Sequence, residues 1–469
     1  MNTAPHAINQ ADIIFDEEII RRFDVNGPRY TSYPTADRFT DGYGAAEYGR
    51  WLGQRTVAGV SRPLSLYMHL PFCNTICYYC ACNKIITKDH GRSAKYLKYL
   101  GKELALQAEA LAGTRDVIQL HWGGGTPTFL SHEEMRQLVE MTREHFHFLP
   151  QGEYSIEVDP RRVDEATVQL LGELGFNRMS LGVQDFDPDV QKAVNRIQSL
   201  AETRLVMEAA RANGFQSLSV DLIYGLPKQS VTTFERTLEE VIALDPDRLS
   251  VYNYAHLPSL VKPQRRINEA ELPSPDARLQ ILQLAIRKLN EAGYVFIGMD
   301  HFAKPGDELA IAQQQGRLHR NFQGYSTHAE ADLLAFGISA ISKVGPSYGQ
   351  NVKTLDEYYD LLDRGILPVM RGYELTPDDL LRRSIIQSLM CHFELSLPEI
   401  EMAHQIDFRS YFAAELADLR EMEEGGLLTI DERRLSIRMP GRLLVRAIAM
   451  AFDRHLRGDR ERVRYSKVI

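Results

Sequence analysis

No stretch of this 469-residue sequence approaches the ~20 consecutive apolar residues needed to cross a bilayer, which excludes a helical membrane protein. Residues 1–20 carry Asp12, Asp16, Glu17 and Glu18 and have neither a basic start nor a continuous apolar segment. That argues against a secretory signal and for a cytoplasmic protein. Basic residues are outnumbered, giving a formal net charge of −9, and no dense Lys/Arg run is present, so a nucleic-acid partner is not expected. Local cationic sites at Arg21, Arg22 and Arg29, at Lys262, Arg265 and Arg266, and at His319 and Arg320 are available to an anionic small molecule, although each alone reads as solvated surface. Cysteine is scarce, five in all, and unevenly spread: four fall between Cys73 and Cys82. An odd count crowded into one loop disfavours a disulfide framework and points to metal or redox chemistry. The fifth, Cys391, sits in an apolar helical pattern and reads as a buried core thiol.

What is present is enough chain for a large catalytic domain and a smaller companion, in an ordinary globular composition of 44% hydrophobic and 25% charged residues. Short β-rich runs alternate with helical patterns from about 64 to 303. Strands are predicted over 64–70, 117–122, 154–158, 178–183, 218–223 and 249–254, and helices over 94–111, 132–146, 164–174, 201–212, 233–244 and 276–292. Ser131 with Glu134 fits a capping box, Ser274-Pro275 marks a helix start, and Gly175, Gly214 and Gly293 mark helix ends. Six βα units imply a parallel sheet, either doubly wound or a full or partial barrel, and periodicity does not choose between them. Beyond about Pro368 the pattern turns to helices over 378–390, 411–423 and 442–455. A small hairpin over 427–430 and 435–439 suggests a winged-helix arrangement, with acidic residues beside it that disfavour DNA binding.

Active sites of parallel βα folds gather at the C-terminal ends of the strands. All six strands here end in polar residues or glycine: Tyr67 and His69, Gly123-Gly124-Gly125-Thr126, Glu157 and Asp159, Gln184 and Asp185, Asp221 and Tyr224, Asn253 and Tyr254. Six such ends in a row read as one shared site. Directly after the first strand comes Cys73-Asn-Thr-Ile-Cys77-Tyr-Tyr-Cys80-Ala-Cys82. Thiolates are the usual ligands of iron–sulfur clusters, and three of them leave one iron of a 4Fe-4S cluster open to a cofactor. Structural zinc is the alternative, disfavoured because no second C-x2-C knuckle is present. The three glycines have no Cβ, so backbone can approach a ligand closely and offer it N–H and C=O groups.

The spacing C-x3-C-x2-C at Cys73, Cys77 and Cys80 resembles the signature of the radical S-adenosylmethionine superfamily. Together with 28–34 (PRYTSYP), 67–73 (YMHLPFC), 121–128 (HWGGGTPT), 221–227 (DLIYGLP) and 319–325 (HRNFQGY), nearly the whole chain is similar to the oxygen-independent coproporphyrinogen III oxidase family. The resemblance implies an α/β fold: a partial (β/α)6-type TIM-like barrel over 61–367, an N-terminal extension over 1–60 covering the active site, and a mainly helical, winged-helix-like domain over 368–469. It implies anaerobic oxidative decarboxylation of two propionates of coproporphyrinogen III to vinyl groups, giving protoporphyrinogen IX. The reaction starts from a 5′-deoxyadenosyl radical made at a 4Fe-4S cluster from S-adenosylmethionine, with two molecules of that cofactor bound. Cys73, Cys77 and Cys80 then hold the cluster. Tyr67, Gly124, Glu157, Ala255 and Ile341 contact the first S-adenosylmethionine, and Tyr79, Gly125, Thr126, Gln184, Arg196 and Asp221 the second. Tyr79 departs from the phenylalanine expected there. Phe322 and Gln323 match residues near the cofactors, and Cys82 reads as a nonligand residue needed for turnover. An electron donor, an electron acceptor and a monomeric state are further expectations. A sister branch, a haem chaperone that binds and delivers haem, keeps the cluster cysteines; Cys82, residues 28–34 and residues 319–325 favour the oxidase. Arg21, Arg22 or Arg29 is expected to pair with substrate carboxylates.

Overall fold

Strands rich in buried apolar residues order this chain, and the computed structural model, which describes residues 15–57, 59–457, 465 and 467–469, shows where they lead. Two compact units emerge: Phe39–Ile281 with Glu330–Glu374, and Met1–Arg38 with Leu282–Ala329 and Leu375–Ile469. The first carries six parallel strands: β1 (Leu64–Leu70), β2 (Asp116–Gly124), β3 (His147–Val158), β4 (Arg178–Gln184), β5 (Ser217–Tyr224) and β6 (Arg248–Asn253). Helices α1 (Gly91–Ala110), α2 (His132–His145), α3 (Glu165–Glu173), α4 (Leu200–Ala212) and α5 (Val231–Ala243) follow β1 to β5.

The strands lie in the sheet in the order in which they occur in the chain. A doubly wound sheet reverses its order at a switch point, and this one does not, so the open question is settled in favour of a partial barrel. β1 is buried at six of its seven positions, as a parallel strand covered on both faces must be. The predicted starts and stops hold. Ser131 Oγ accepts from Glu134 N–H at 3.2 Å, helix Pro275–Glu291 opens on the proline, and Gly175, Gly214 and Gly293 adopt φ of +100°, +80° and +84°.

The barrel does not end at β1. β7 (Asp332–Phe336) adds to it in parallel and continues into the antiparallel strands Ile341–Val344, Ser347–Asn351 and Val369–Glu374. None of these four was expected, and the last lies where only helices were. They are short, and Asp332–Phe336 is an apolar run without the alternation that identifies a strand. Behind β1 and β7, Glu103 of α1 is wholly buried and accepts from Tyr358 Oη at 2.6 Å, Gly337 N at 2.7 Å, Asn351 Nδ2 at 2.8 Å and Gln107 Nε2 at 3.0 Å. Burial pushes its carboxyl up to about 7, against the pull of those donors. Beside it, Tyr96 Oη donates to His69 O at 2.8 Å and accepts from Ile338 N at 3.1 Å.

In the second unit, helix Pro377–His392 buries Cys391, as expected. Nearby, Glu394–Ser396, Arg434–Ile437 and Leu428–Ile430 pair as a three-stranded sheet, one strand more than the predicted hairpin. The helix predicted over 442–455 is two short ones, Val445–Met450 and Arg454–Arg457. Asp453 interrupts it by capping: its carboxylate accepts from His455 N at 2.9 Å and Leu456 N at 3.3 Å. Among the described residues no helix is long and apolar enough to cross a membrane.

Candidate active site

A cavity of about 320 Å³ lies at the C-terminal ends of the parallel strands, and all four clustered cysteines line it. The chain delivers them there because Pro71 follows β1 directly and the loop is tied at its base: Phe72–Cys73 pairs in parallel with Ile85–Ile86, and Thr87 N donates to Cys73 O at 3.0 Å. The thiols have different surroundings. Cys73 is buried and accepts from Thr126 Oγ1 at 3.4 Å. Cys77 is buried between two guanidinium groups, Arg196 Nη1 at 3.6 Å and Arg161 Nη2 at 3.9 Å. Cys80 is paired with Cys82, whose thiol hydrogen bond lowers Cys80 to about 6 while Cys82 is held up. Lys84 Nζ helps to lower Cys80, donating to Cys80 O at 2.7 Å, and also reaches Cys82 O at 3.4 Å. Cys82 is the exposed member of the four.

Glu157, at the end of β3, faces the same cavity. Burial alone would raise its carboxyl, but hydrogen bonding with His121 Nε2 at 3.3 Å and from Gly124 N at 3.2 Å holds it below the usual range. Asp221, at the end of β5, is driven the other way, up to about 6, by its burial and by the neighbouring Glu157 charge, with Ser180 Oγ donating at 3.1 Å. With Asp159, which its arginine partners also hold below the usual range, the cavity is lined by two carboxylates kept ionised and one able to carry a proton near neutrality.

The glycine run serves packing more than display. Gly124 has φ +113°, and a Cβ there would lie 2.7 Å from His69 Nδ1; at Gly125 it would lie 2.6 Å from the Pro71 backbone. The N–H groups expected to face a ligand are already used: Gly124 N on Glu157, Gly125 N on Leu70 O at 2.8 Å and Thr126 N on Phe72 O at 2.9 Å. The run presses the β2 end against the cysteine loop, and Gly124, Gly125 and Thr126 still line the cavity.

Gln184 and Arg196 line it as well. Gln184 adopts φ +70°, a conformation L-residues rarely take, and its buried Oε1 has no hydrogen-bond partner. Arg196 donates from Nη2 to Gly182 O, but its buried Nε is likewise unmatched. Buried polar atoms are nearly always satisfied, and among the residues lining this cavity these are the two that are not. Tyr79 lines the cavity and packs against the buried cluster of Val190, Val194, Leu226, Tyr254 and Ile267. Its carbonyl accepts from Gln264 Nε2 at 3.1 Å, which also donates to Ala255 O at 3.1 Å.

Tyr67, Ala255 and Ile341 belong to the same unit and are not among the lining residues. Tyr67 stacks on His121, ring centroids 5.8 Å apart, and its hydroxyl meets His69 Nδ1 at 3.2 Å. Of the other strand-end residues, Asp185 turns inward to Gln229 Nε2 at 2.6 Å and Thr237 Oγ1 at 2.9 Å, and Tyr254 is core. Phe322 and Gln323 lie in the second unit, at the turn between His319–Asn321 and Gly324–Ser326, where Gln323 N donates to Asn321 Oδ1 at 2.8 Å. The N-terminal arginines have protein partners: Arg21 with Glu17 at 2.6 Å, Arg22 with Glu421 at 2.8 Å and Arg29 with Asp300 at 2.5 Å. Arg161 and Lys84 were missed; the Asp159-Pro-Arg161 sequence, an N-cap followed by a proline turn, was the available sign of the first.

The donor set suits an iron–sulfur cluster. Cys73, Cys77 and Cys80 border one cavity together with Cys82, and soft thiolate ligands gathered on one loop are what such a cluster takes. A hydroxyl stands at Cys73 and cationic groups at Cys77, and two residues of the cavity wall, Gln184 and Arg196, carry unmatched polar atoms.

Comparison with known proteins agrees. The profile of the Radical SAM superfamily matches residues 67–241 and that of the HemN C-terminal domain matches 375–444. The chain is 53% identical to the oxygen-independent coproporphyrinogen III oxidase of Pseudomonas aeruginosa over 97% of its own length and 99% of the relative's. To the Escherichia coli K12 protein of the same name it is 46% identical, over 99% and 100%. It superposes on the solved structure described as coproporphyrinogen III oxidase (HemN) from Escherichia coli, a radical SAM enzyme, with a TM-score of 0.90, 46% identity, and coverage of 95% of this chain and 100% of that one.

Proposed function

Since the chain belongs to the oxygen-independent coproporphyrinogen III oxidase family of radical SAM enzymes, we propose that its thiol-lined cavity serves the oxidative decarboxylation of two propionates of coproporphyrinogen III to vinyl groups, giving protoporphyrinogen IX in haem biosynthesis. The cofactors are a 4Fe-4S cluster and S-adenosylmethionine, which together supply the one-electron chemistry that abstracts hydrogen from a propionate. The observation that carries the reading is the meeting of Cys73, Cys77 and Cys80 with Glu157, Gln184, Arg196 and Asp221 around one cavity.

Cys73, Cys77 and Cys80 hold the cluster. Glu157, ionised and fixed by His121 and Gly124, accepts from an S-adenosylmethionine ammonium or ribose, with Tyr67, Gly124, Ala255 and Ile341 shaping that site from the ends of β1 and β2 and from the strands and loops beyond. Gln184 Oε1 and Arg196 Nε, unmatched within the protein, complete a second cofactor site with Tyr79, Gly125, Thr126 and Asp221. Cys82, Phe322 and Gln323 act in turnover, Cys82 without ligating iron. The 1–60 segment is an extension covering the active site, the 61–367 barrel is the catalytic domain, and 368–469 is a separate, mainly helical domain. The enzyme works as a cytoplasmic monomer with a separate electron donor and acceptor.

The test is direct. The anaerobically reconstituted chain, given S-adenosylmethionine, a reductant and coproporphyrinogen III, forms 5′-deoxyadenosine and vinyl porphyrin together. Haem binding with no vinyl product overturns the reading and leaves a haem carrier in its place.

A further inference from the structure

The three candidate cluster thiols are unequally charged in their surroundings, and the inequality has a specific source. Cys73 accepts from a neutral hydroxyl, Thr126, and feels one cation, Lys84, without a hydrogen bond to it, while Cys80 has the same Lys84 at its backbone carbonyl. Cys77 meets two guanidinium groups, and both are held by a single carboxylate, Asp159. Arg161 grips Asp159 with two hydrogen bonds, Nη2 to Oδ2 at 2.5 Å and Nε to Oδ1 at 2.8 Å, and reaches Cys77 Sγ at 3.9 Å with the same Nη2. Arg196 Nη1 stands 3.4 Å from Asp159 Oδ2 and 3.6 Å from Cys77 Sγ. The side chains of Arg161, Arg196 and Asp159 are only 14%, 8% and 11% exposed, so solvent screens them weakly.

The group is rigid by construction. Asp159 also caps the turn Pro160–Arg162, accepting from Arg161 N at 3.2 Å, so the residue that carries one guanidinium is fixed to the carboxylate that orients it. Arg196 is anchored at its other end on Gly182 O. Two positive charges and one negative charge leave an excess of one positive charge next to Cys77. Placed beside a thiolate ligand, positive charge stabilises the more negative, reduced cluster, and hydrogen bonds to ligand sulfur act in the same direction.

We propose that Asp159 and Arg161 form, with Arg196, a charge clamp on Cys77 that raises the reduction potential of the cluster, Asp159 setting how much of the arginines' charge the cluster feels. Arg161 and Asp159 are positioning residues in this scheme. They act through Cys77, and the proposal rests on the reading that Cys77 is a cluster ligand.

The two residues act with opposite sign, which makes the proposal testable without turnover. In the full chain reconstituted anaerobically, an EPR-monitored redox titration of Arg161→Gln gives a midpoint more negative than that of the unmodified chain. Arg161→Lys recovers part of the difference, and Asp159→Asn moves the midpoint the other way, all at full iron and sulfide content. Unchanged midpoints in iron-replete Arg161→Gln, or shifts of both variants in one direction, overturn the clamp. Cys77→Ala separates this from the underlying reading. If it keeps its full iron content, Cys77 is no ligand and the clamp falls with it; if it loses iron while Arg161→Gln leaves the potential unmoved, only the clamp is wrong.

Discussion

Two buried polar clusters of the barrel unit, about Glu103 and about Gln184, are built on opposite principles. The Glu103 carboxylate is met by four donors from Gln107, Gly337, Asn351 and Tyr358, and the neighbouring Tyr96 hydroxyl both donates and accepts. At the strand ends, Gln184 Oε1 and Arg196 Nε are just as buried and have no partner, and Gln184 adopts a left-handed backbone conformation. Glu103 is saturated by the fold it holds together. The two cavity-wall residues each keep an unsaturated atom, at a cost in stability of about 1 to 3 kcal/mol for each orphan.

The largest expected effect lies on the ligand side. Alanine at Cys73, Cys77 or Cys80 removes most of the iron from the anaerobically reconstituted protein while the urea midpoint of the apo chain stays in place; a collapse of folding in these variants would put the thiols in the structural class. Next comes Glu103→Ala, which leaves four donors facing an empty space and lowers the unfolding free energy by at least about 3 kcal/mol. A loss under about 1 kcal/mol in urea denaturation would erase the contrast.

The same residue gives a pH test with a definite sign. Glu103 is raised from 4.5 to about 7 when folded, so between those values the folded state binds more protons than the unfolded one. Its stabilising contribution is full below about 4.5 and is lost as pH rises through about 7, a fall on the order of 3 kcal/mol. Glu103→Gln flattens that part of the stability profile; an unaltered slope assigns it to other groups. The smallest effect is the most discriminating. Gln184→Met removes an orphan, so the apo chain gains about 1 kcal/mol while S-adenosylmethionine binding weakens about tenfold, roughly 1.4 kcal/mol. A variant that loses both stability and affinity shows that Gln184 belongs with Glu103.

Much of the site was legible because its signals are local. The cysteine spacing, the capping box at Ser131, the helix-ending glycines and the polar residues closing each strand are all written within a few positions of one another. The strands β1 to β6 were found for the same reason, as apolar runs bounded by turns. What escaped depends on partners distant in sequence. Asp159 was noticed as a strand end, but its grip on Arg196 joins residues 37 apart, and Arg55 finds Asp332 across 277 residues. Of the strands from Asp332 to Glu374, Asp332–Phe336 and Ser347–Asn351 are buried throughout and so lack alternation, and Ile341–Val344 is too short at four residues for a period to show. The glycine run was read as an open backbone, and only the position of the Pro71 loop shows that its N–H groups are already engaged.

The second compact unit is assembled from three stretches, and its opening residues find their partners near the close of the chain. Arg22 meets Glu421 across 399 residues, Arg446 donates to Pro28 O, and Val468 N donates to Val25 O. At the roughly 5 to 20 residues per second of synthesis, the helix Glu17–Phe23 leaves the ribosome about 20 to 80 s before Glu421 exists. For that interval it is an amphipathic segment with nothing of its own unit's late residues to bind, while most of the barrel strands are already made. Residues 22–28 and 421–468 thus behave as one element in biogenesis: the earlier-made partner of each pair has to wait for the later one before it can settle.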